Sequence, residues 1–496
     1  MQKSDEGRTV SLWEATGTLI DGKAVLPTKT GTCIVGGGIA GLTTAYLLTK
    51  AGQQVIVIDD GLIGGGETCR TTAHLSNAID DRIYRIEEWH GEDKAKLAVE
   101  AHTRAIDQIE QVTNELNIDC DFFRVDGYLF KADDGGDDDL QKEHDAARRC
   151  GLDVDWVETQ FGRSLRFPRQ GQFHVLKYLR GVADAIERAG GQLVSNTHVT
   201  DWTGGDSPVV TTGRGDIKAD KIVLATNYPL MSKMFAELPA YRTYAIGVTI
   251  PVNTVERALY WDNADPYIYV RTQQDGDEKV LIVGAEDHRT GQSNDGEARF
   301  ARLETWTRKH FESIGEVKYR WSGQFMETHD GLAFIGQYSD REPNVFLITG
   351  DSGMGMTHGT IGGMLVSDLI LEREDPWVDV FQPSRIATQS IKEAVPEIIA
   401  STIPYKDWLT GGDIDSVDQL QPGEGGILRH GMSKIAVYRD DTGELHKRSA
   451  VCTHMGCIVR FNSLEKTWDC PCHGSRFSVH GNPINTPAMT PLGKPD

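Results

Sequence analysis

Two groups of residues stand out by type and spacing. Toward the C-terminus the chain reads CTHMGC from Cys452 to Cys457 and CPCHGS from Cys470 to Ser475. Cys452 with His454 and Cys470 with His473 form two thiol and imidazole pairs with 15 residues between them, a donor set suited to a transition metal. A tetrahedral zinc site would use those four and leave Cys457 and Cys472 without a role. Toward the N-terminus, GGGIAGL sets Gly36, Gly38 and Gly41 in a GxGxxG turn. One glycine permits the bend, one lets backbone approach a pyrophosphate, and one permits close helix packing, with phosphate at the helix N-terminus. Asp59 follows Gly41 by 18 residues, where its carboxylate can accept from the ribose hydroxyls of a dinucleotide. A glycine turn with no ligand is the alternative.

These groups need elements to hold them. Thr32 to Val35 reads as a strand, TTAYLLTKAG as a helix closed by Gly52, and VIVID as a second strand, the opening of a doubly wound parallel sheet. KIVLATN (Lys221 to Asn227) and VFLITGDSGMG (Val345 to Gly355) are apolar strands running into small-residue turns. They read as returns to the same sheet, so the α/β domain is discontinuous, at about residues 30–80, 180–230 and 325–372. Between the returns, Phe123 to Ala132 and Tyr267 to Gly284 alternate with period two, and Asp275-Gly276 marks a hairpin, which predicts an interleaved antiparallel substrate domain. Asp80 to Asn117 reads as one or two helices, and DDGGDDDL (Asp133 to Leu140) as a solvated loop. Residues 1–382 thus form the first unit. Pro383 to Gly412, including IKEAVPEII, is the expected linker, and 413–496 a small all-β module with short strands such as KIAVYR.

Composition narrows the partners. Among 496 residues, 51 are Lys or Arg and 73 are Asp or Glu, a net charge of −22 that repels phosphate backbones and anionic lipid. Nucleic acid is therefore an unsuitable partner, and no run of eighteen apolar residues calls for membrane insertion. From Asp413 onward ten acidic residues meet nine basic ones, so the tail is nearly neutral and chemically distinct from the rest. The start, MQKSDEGRTV, carries no apolar signal core, and the chain reads as cytoplasmic.

The first 380 residues resemble the glycine/D-amino-acid oxidase (DAO) superfamily of flavoproteins. The resemblance runs from about 30 to 372 and rests on the glycine turn, ATN (Ala225 to Asn227), HDGLAFIG (His329 to Gly336) and the late turn GDSGMGMTHGTIGG. It implies that the first turn holds the FAD diphosphate and that Gly353, Gly355 and Gly359 lie against the flavin ring. His358 would face the pyrimidine edge, or else bond a loop carbonyl. CRTTAH would bring Arg70, Thr71, Thr72 and His74 to the ring, though it departs from the motifs through which some members attach FAD covalently. No second fingerprint for NAD is present. Superfamily substrates are amines and amino acids, and YIYVR and GAEDH offer Tyr267, Tyr269, Arg271, Glu286, Asp287 and His288 as positioners. Arg271 could clamp a substrate carboxylate; the alternative is tyrosines facing the sheet and Arg271 paired with a surface acid.

The tail resembles a Rieske 2Fe-2S module of the disulfide-bearing type. By that resemblance Cys452 and Cys470 hold one iron, His454 and His473 the other, and Cys457 pairs with Cys472. Neutral histidine ligands raise the potential. Ser475 would donate a hydrogen bond to a bridging sulfide. Phe477 stands where high-potential members carry tyrosine, which implies a lower potential. Rieske oxygenases lack the two extra cysteines. A disulfide sits awkwardly with a reducing cytoplasm, though a bridge buried beneath the cluster could persist.

Together the resemblances imply a dehydrogenase. A small amine or amino acid reduces FAD, and the cluster hands single electrons to a redox partner, a ferredoxin, cytochrome or quinone. Two alternatives remain: a reductase feeding a partner oxygenase through the Rieske centre, and a flavin oxidase with a structural or redox-sensing tail.

Overall fold

The computed structural model describes residues 7–133, 135–228, 238–385, 396 and 399–495. The glycine motif lies where strand β1 (Lys29–Val35) turns into helix α1 (Ile39–Lys50), which returns as strand β2 (Val55–Ile58). All four residues of β2 are buried, the pattern of a strand covered on both faces. Gly52, at φ 81°, ends the helix turn.

β1 is central in an eight-stranded sheet whose main path is Phe334–Ser339, Glu342–Thr349, Gly215–Asn227, β1, β2, Gln192–Val194, with Val209–Thr212 and then Val199–Thr203 branching from Gly215–Asn227. Its pairings are parallel from Glu342–Thr349 to Gln192–Val194, with Cys33 opposite Ile222 and Ile34 opposite Val57. The first expected return therefore lies beside β1, and the second beside the first. Helix Gly355–Ile370 packs on α1, where Gly359 and Gly363 admit the backbone of Ala40 and Thr44.

A nine-stranded sheet is interleaved with the first. It holds the hairpin Tyr269–Asp275 and Glu278–Arg289, turning at Gly276 with Asp275 opposite Glu278. It is antiparallel except where Leu259–Asp262 runs parallel to Phe123–Phe130. Asp80 to Asn117 contains two helices, Ile83–His90 and Glu92–Glu115, divided at Gly91. One expectation is corrected: the acidic run at 133–140 is not all loop, since helix Asp137–Arg149 begins within it. Acidic residues suit the positive end of the helix macrodipole, so Asp138 and Asp139 favour a helix start.

Residues 386–395 and 397–398, most of the expected linker segment IKEAVPEII, lie outside the described residues. Beyond them, a short helix Ile403–Trp408 leads to two small sheets. One pairs Gly425–His430, Ser433–Arg439 and Leu445–Ser449; the other pairs Arg460–Asn462, Thr467–Asp469, Arg476–Ser478 and Pro483–Asn485. A separate core of Trp468, Phe477, Tyr438 and the four clustered cysteines fills this module. Among the described residues no helix is long and apolar enough to cross a membrane.

Candidate functional site

The cluster loops are local in sequence. One runs between Leu445–Ser449 and Arg460–Asn462, the other between Thr467–Asp469 and Arg476–Ser478. Each closes on itself: Cys452 N–H donates to Cys457 O at 2.8 Å, and Cys470 N–H to Ser475 O at 2.8 Å. Cys457 and Cys472 form a disulfide joining the loops, with Cα atoms 6.5 Å apart. Cys452 and Cys470 are buried free thiols. The His454 and His473 rings meet edge to face, centroids 5.0 Å apart, and the Nδ1 atom of each is buried without a hydrogen-bond partner.

A buried ring nitrogen with no partner is costly, and two of them on the same loops as two buried free thiols fit a metal cluster. Protonation agrees. Burial, then the neighbouring His454 and Arg289, push His473 down to about 4, so it is neutral, the ligating form. A hydrogen bond from the Cys470 side chain leads the influences that lower Cys452 to about 7, toward the thiolate. The Ser475 hydroxyl oxygen accepts from Ala488 N–H at 3.1 Å, leaving its own proton to donate. Phe477 is fully buried in the module core.

The glycine turn opens on a cavity of about 720 Å³. Gly36 has φ 105°, and a Cβ there would lie 2.3 Å from Ala225 O; on Gly41 it would lie 1.9 Å from Gly36 O. No side chain fits either position. Ala225 lines the cavity where its backbone packs against Gly36. Gly38, Ile39 and Ala40 line the cavity at the start of α1, and Asp59 at the end of β2 is held by the N–H groups of Gly37 (2.7 Å) and Gly61 (3.0 Å). A volume of this size between a glycine turn, a helix N-terminus and a strand-end acid fits FAD.

Among the expected cofactor contacts, Thr71, Thr72, Gly353, Gly355 and Gly359 line this cavity. Arg70 lines it as well, and its guanidinium is held by other parts of the protein. It donates to Thr9 Oγ1 and Ser322 O, both at 2.9 Å, and faces Glu465 at 3.5 Å. His358 lines the cavity with both ring nitrogens engaged. Nε2 accepts from Ala333 N–H at 3.4 Å, so Nδ1 donates to Asp351 O at 2.8 Å, and burial holds the ring neutral, at about 4. It props the late turn. His74, pushed to about 3 by burial and then Arg271, bonds Thr72 Oγ1 and Val270 O.

Three expected substrate contacts, Arg271, Glu286 and His288, miss the cavity. Arg271 is fully buried and donates to the carbonyls of Thr72, Ala73 and Phe173. It shares a face with Tyr269, but the chain at 72–73 crosses in front of it. His288 turns to the opposite face, against Tyr244 OH at 3.0 Å. The reason is a bulge: one residue separates Arg242 from Tyr244, while two separate their partners His288 and Ala285, and Glu286 has φ 68°. One extra residue exchanges the faces. Asp287 thereby enters the cavity wall, and Glu286 turns to Arg302.

The wall so built holds Tyr267, Tyr269, Thr243, Asp80 and Asp287. Tyr269 OH and Thr243 Oγ1 are 2.7 Å apart. Asp287 Oδ1 is buried without a partner, and burial raises Asp287 to about 7 and Asp80 to about 6. Motif reading passed over Asp80, since nothing local marks it.

Residues 32–369 match the family model described as FAD dependent oxidoreductase, and residues 412–496 match that of the Rieske [2Fe-2S] domain. The chain belongs to the FAD-dependent oxidoreductase family. Its cofactors are FAD and, in the C-terminal Rieske domain, a 2Fe-2S cluster. The chain is similar to YhfW of Bacillus subtilis (strain 168), named as a Rieske 2Fe-2S iron-sulfur protein: 33% identical over 93% of this chain and 92% of that protein, so the match runs through both domains. It is 26% identical to gamma-glutamylputrescine oxidoreductase of Escherichia coli (strain K12), over 68% of this chain and 83% of that one. Among solved structures, glycine oxidase from Geobacillus kaustophilus superposes with a TM-score of 0.62 at 20% identity, covering 73% of this chain and all of that one. That likeness is one of fold.

Proposed function

We propose that this oxidoreductase dehydrogenates a small amine and sends the electrons through its Rieske centre to an external one-electron acceptor. The contact that carries this reading is Gln324. It lines the cavity, and its Nε2 donates at 3.1 Å to the carbonyl of Gly474, the residue after His473. Its Oε1 accepts from Thr290 Oγ1 at 2.9 Å, fixing the side chain between the two sites, and its backbone N–H donates to Glu67 at 2.7 Å.

Bound FAD supplies a hydride acceptor, and the cluster a one-electron carrier. The chain's own groups bind and orient the amine. Tyr267 and Tyr269 give an aromatic wall that excludes water. Asp80 and Asp287 favour a cation, and Asp287, near 7, accepts the proton that an ammonium must lose before it can give up hydride. The nearby arginines are committed: Arg82 donates to the carbonyls of Asp80 and Asp262, and Arg271 to three others. An amine without a carboxylate beside the reacting carbon therefore fits better than an α-amino acid. A relative named for γ-glutamylputrescine is consistent with this.

Anaerobic mixing with polyamines, sarcosine and D-amino acids tests the reading. The expected result is a bleached flavin together with the axial electron-spin signal of a reduced cluster, strongest with polyamines. A bleached flavin beside a permanently oxidised cluster overturns internal transfer, and reduction by NADH alone favours the reverse direction.

A further inference from the structure

The cavity is not built by the flavoprotein half alone. Residues 482–486 and 489–491 of the Rieske domain line it, together with the end of β2 and the segment at Thr197 and His198. The segment is seated on the first domain at several points. His198 Nε2–H donates to Met489 O at 2.9 Å, Thr486 Oγ1 to Tyr228 O at 3.2 Å, and Asn485 Nδ2 to Glu67 at 3.4 Å. The Met489 side chain packs on the core beneath the first sheet. From the other side, Ala488 N–H is held by Ser475 Oγ beside the cluster.

We propose that the Rieske domain is a structural part of the FAD site: segment 482–491 closes the dinucleotide cavity beside Asp59, over the end where a strand-end acid meets the ribose. The cavity is complete only when the two domains are docked. A ligand that binds the docked state alone stabilises it by mass action, and docking tightens the ligand by the same factor. FAD retention and domain docking are then one equilibrium, whatever the substrate. Because one segment touches both Ser475 and the cavity, the cluster environment also responds to FAD occupancy. Removing everything after Gly412 would take away a cavity wall, so such a truncation reports on FAD binding as well as on electron exit.

The test uses the full chain with its cluster loaded. Hydrogen exchange of the deflavinated protein, with and without added FAD, is expected to show protection rising in 482–491 as well as in the 36–41 turn. Protection confined to the turn overturns the proposal. Met489→Asp, which puts a charge in the apolar seat, is expected to raise the FAD dissociation constant by about tenfold or more, read by flavin fluorescence. Iron content and the electron-spin signal report whether the domain itself remains intact. An unchanged dissociation constant in a cluster-loaded variant also overturns the proposal. If the variant loses its cluster, the exchange experiment on the unaltered protein decides alone.

Discussion

The cluster loops and the dinucleotide cavity solve the same problem in opposite ways. The six cysteines and histidines of the Rieske centre lie within one short stretch, on two loops that close on their own backbone and are tied by a disulfide. The cavity is assembled from parallel strands far apart in sequence, a bulged antiparallel strand and a segment of the other domain. A local site can be read from spacing and lost by one substitution. A distributed site depends on register and docking, and its losses are graded.

The sharpest break follows from locality. Cys452→Ser removes a thiolate with no neighbouring substitute and is expected to abolish the cluster, read as loss of iron and of the electron-spin signal. No single cavity residue carries that weight. Next comes the junction. Glu465 of the Rieske domain is buried against Arg70 (3.5 Å) and Arg242 (3.9 Å), and Arg476 reaches back to Glu67 (3.7 Å). Burial alone would raise Glu465, but Arg70, Arg242 and Arg476 outweigh it and hold it down at about 2. Glu465→Gln strands two buried guanidinium groups and is expected to cost about 3–5 kcal/mol of docking stability. Thermal unfolding should then show an earlier, separate transition for the tail.

The two regions also answer pH with opposite signs. Glu465 has a folded value below its ordinary 4.5, so its contribution is full above that pH and is lost as pH falls toward 2. Asp287 is the reverse: burial raises it from 3.8 to about 7, so its ionisation costs stability as pH rises through that interval. Asp287→Asn should therefore be neutral to stability near pH 4 and gain on the unaltered protein up to about pH 7, then level off. Melting temperatures of the substrate-free protein across that range check the sign. The same variant should weaken binding of cationic amines while leaving FAD content unchanged. A flat difference across pH would remove Asp287 from the cavity wall.

What could be read in the sequence follows the same division. The His454 and His473 rings meet and Cys452 and Cys470 are buried free thiols on the same two loops, whose short length leaves little freedom. Gly36 and Gly41 occupy a turn that only glycine can make. The substrate wall was half legible. Alternation placed Tyr267 and Tyr269 on one face, but of the three candidates Glu286, Asp287 and His288 the bulge leaves Asp287 in the cavity wall, and no local pattern announces one extra residue in a strand. Arg70 lines the cavity, but its guanidinium pairs with Glu465, a partner 395 positions away that only the docked structure reveals. Arg271 shares the tyrosines' face, yet the crossing chain at 72–73 covers it.

The smallest effect separates the two jobs of the cluster's surroundings. Phe477→Tyr would add a hydroxyl in the buried core of the Rieske module. One added hydrogen bond to the reduced, more negative cluster raises a one-electron potential by roughly 20–60 mV, with no change expected in FAD retention. Ser475→Ala should lower the potential by a similar amount, because it removes a donor. It also releases Ala488 N–H, which now bonds Ser475 Oγ at 3.1 Å at the base of the segment that walls the cavity. Ser475→Ala should therefore weaken FAD binding where Phe477→Tyr does not. Potentiometry paired with flavin titration distinguishes them: equal effects of both variants on FAD would mean that the local site and the distributed one share no mechanical link through Ser475.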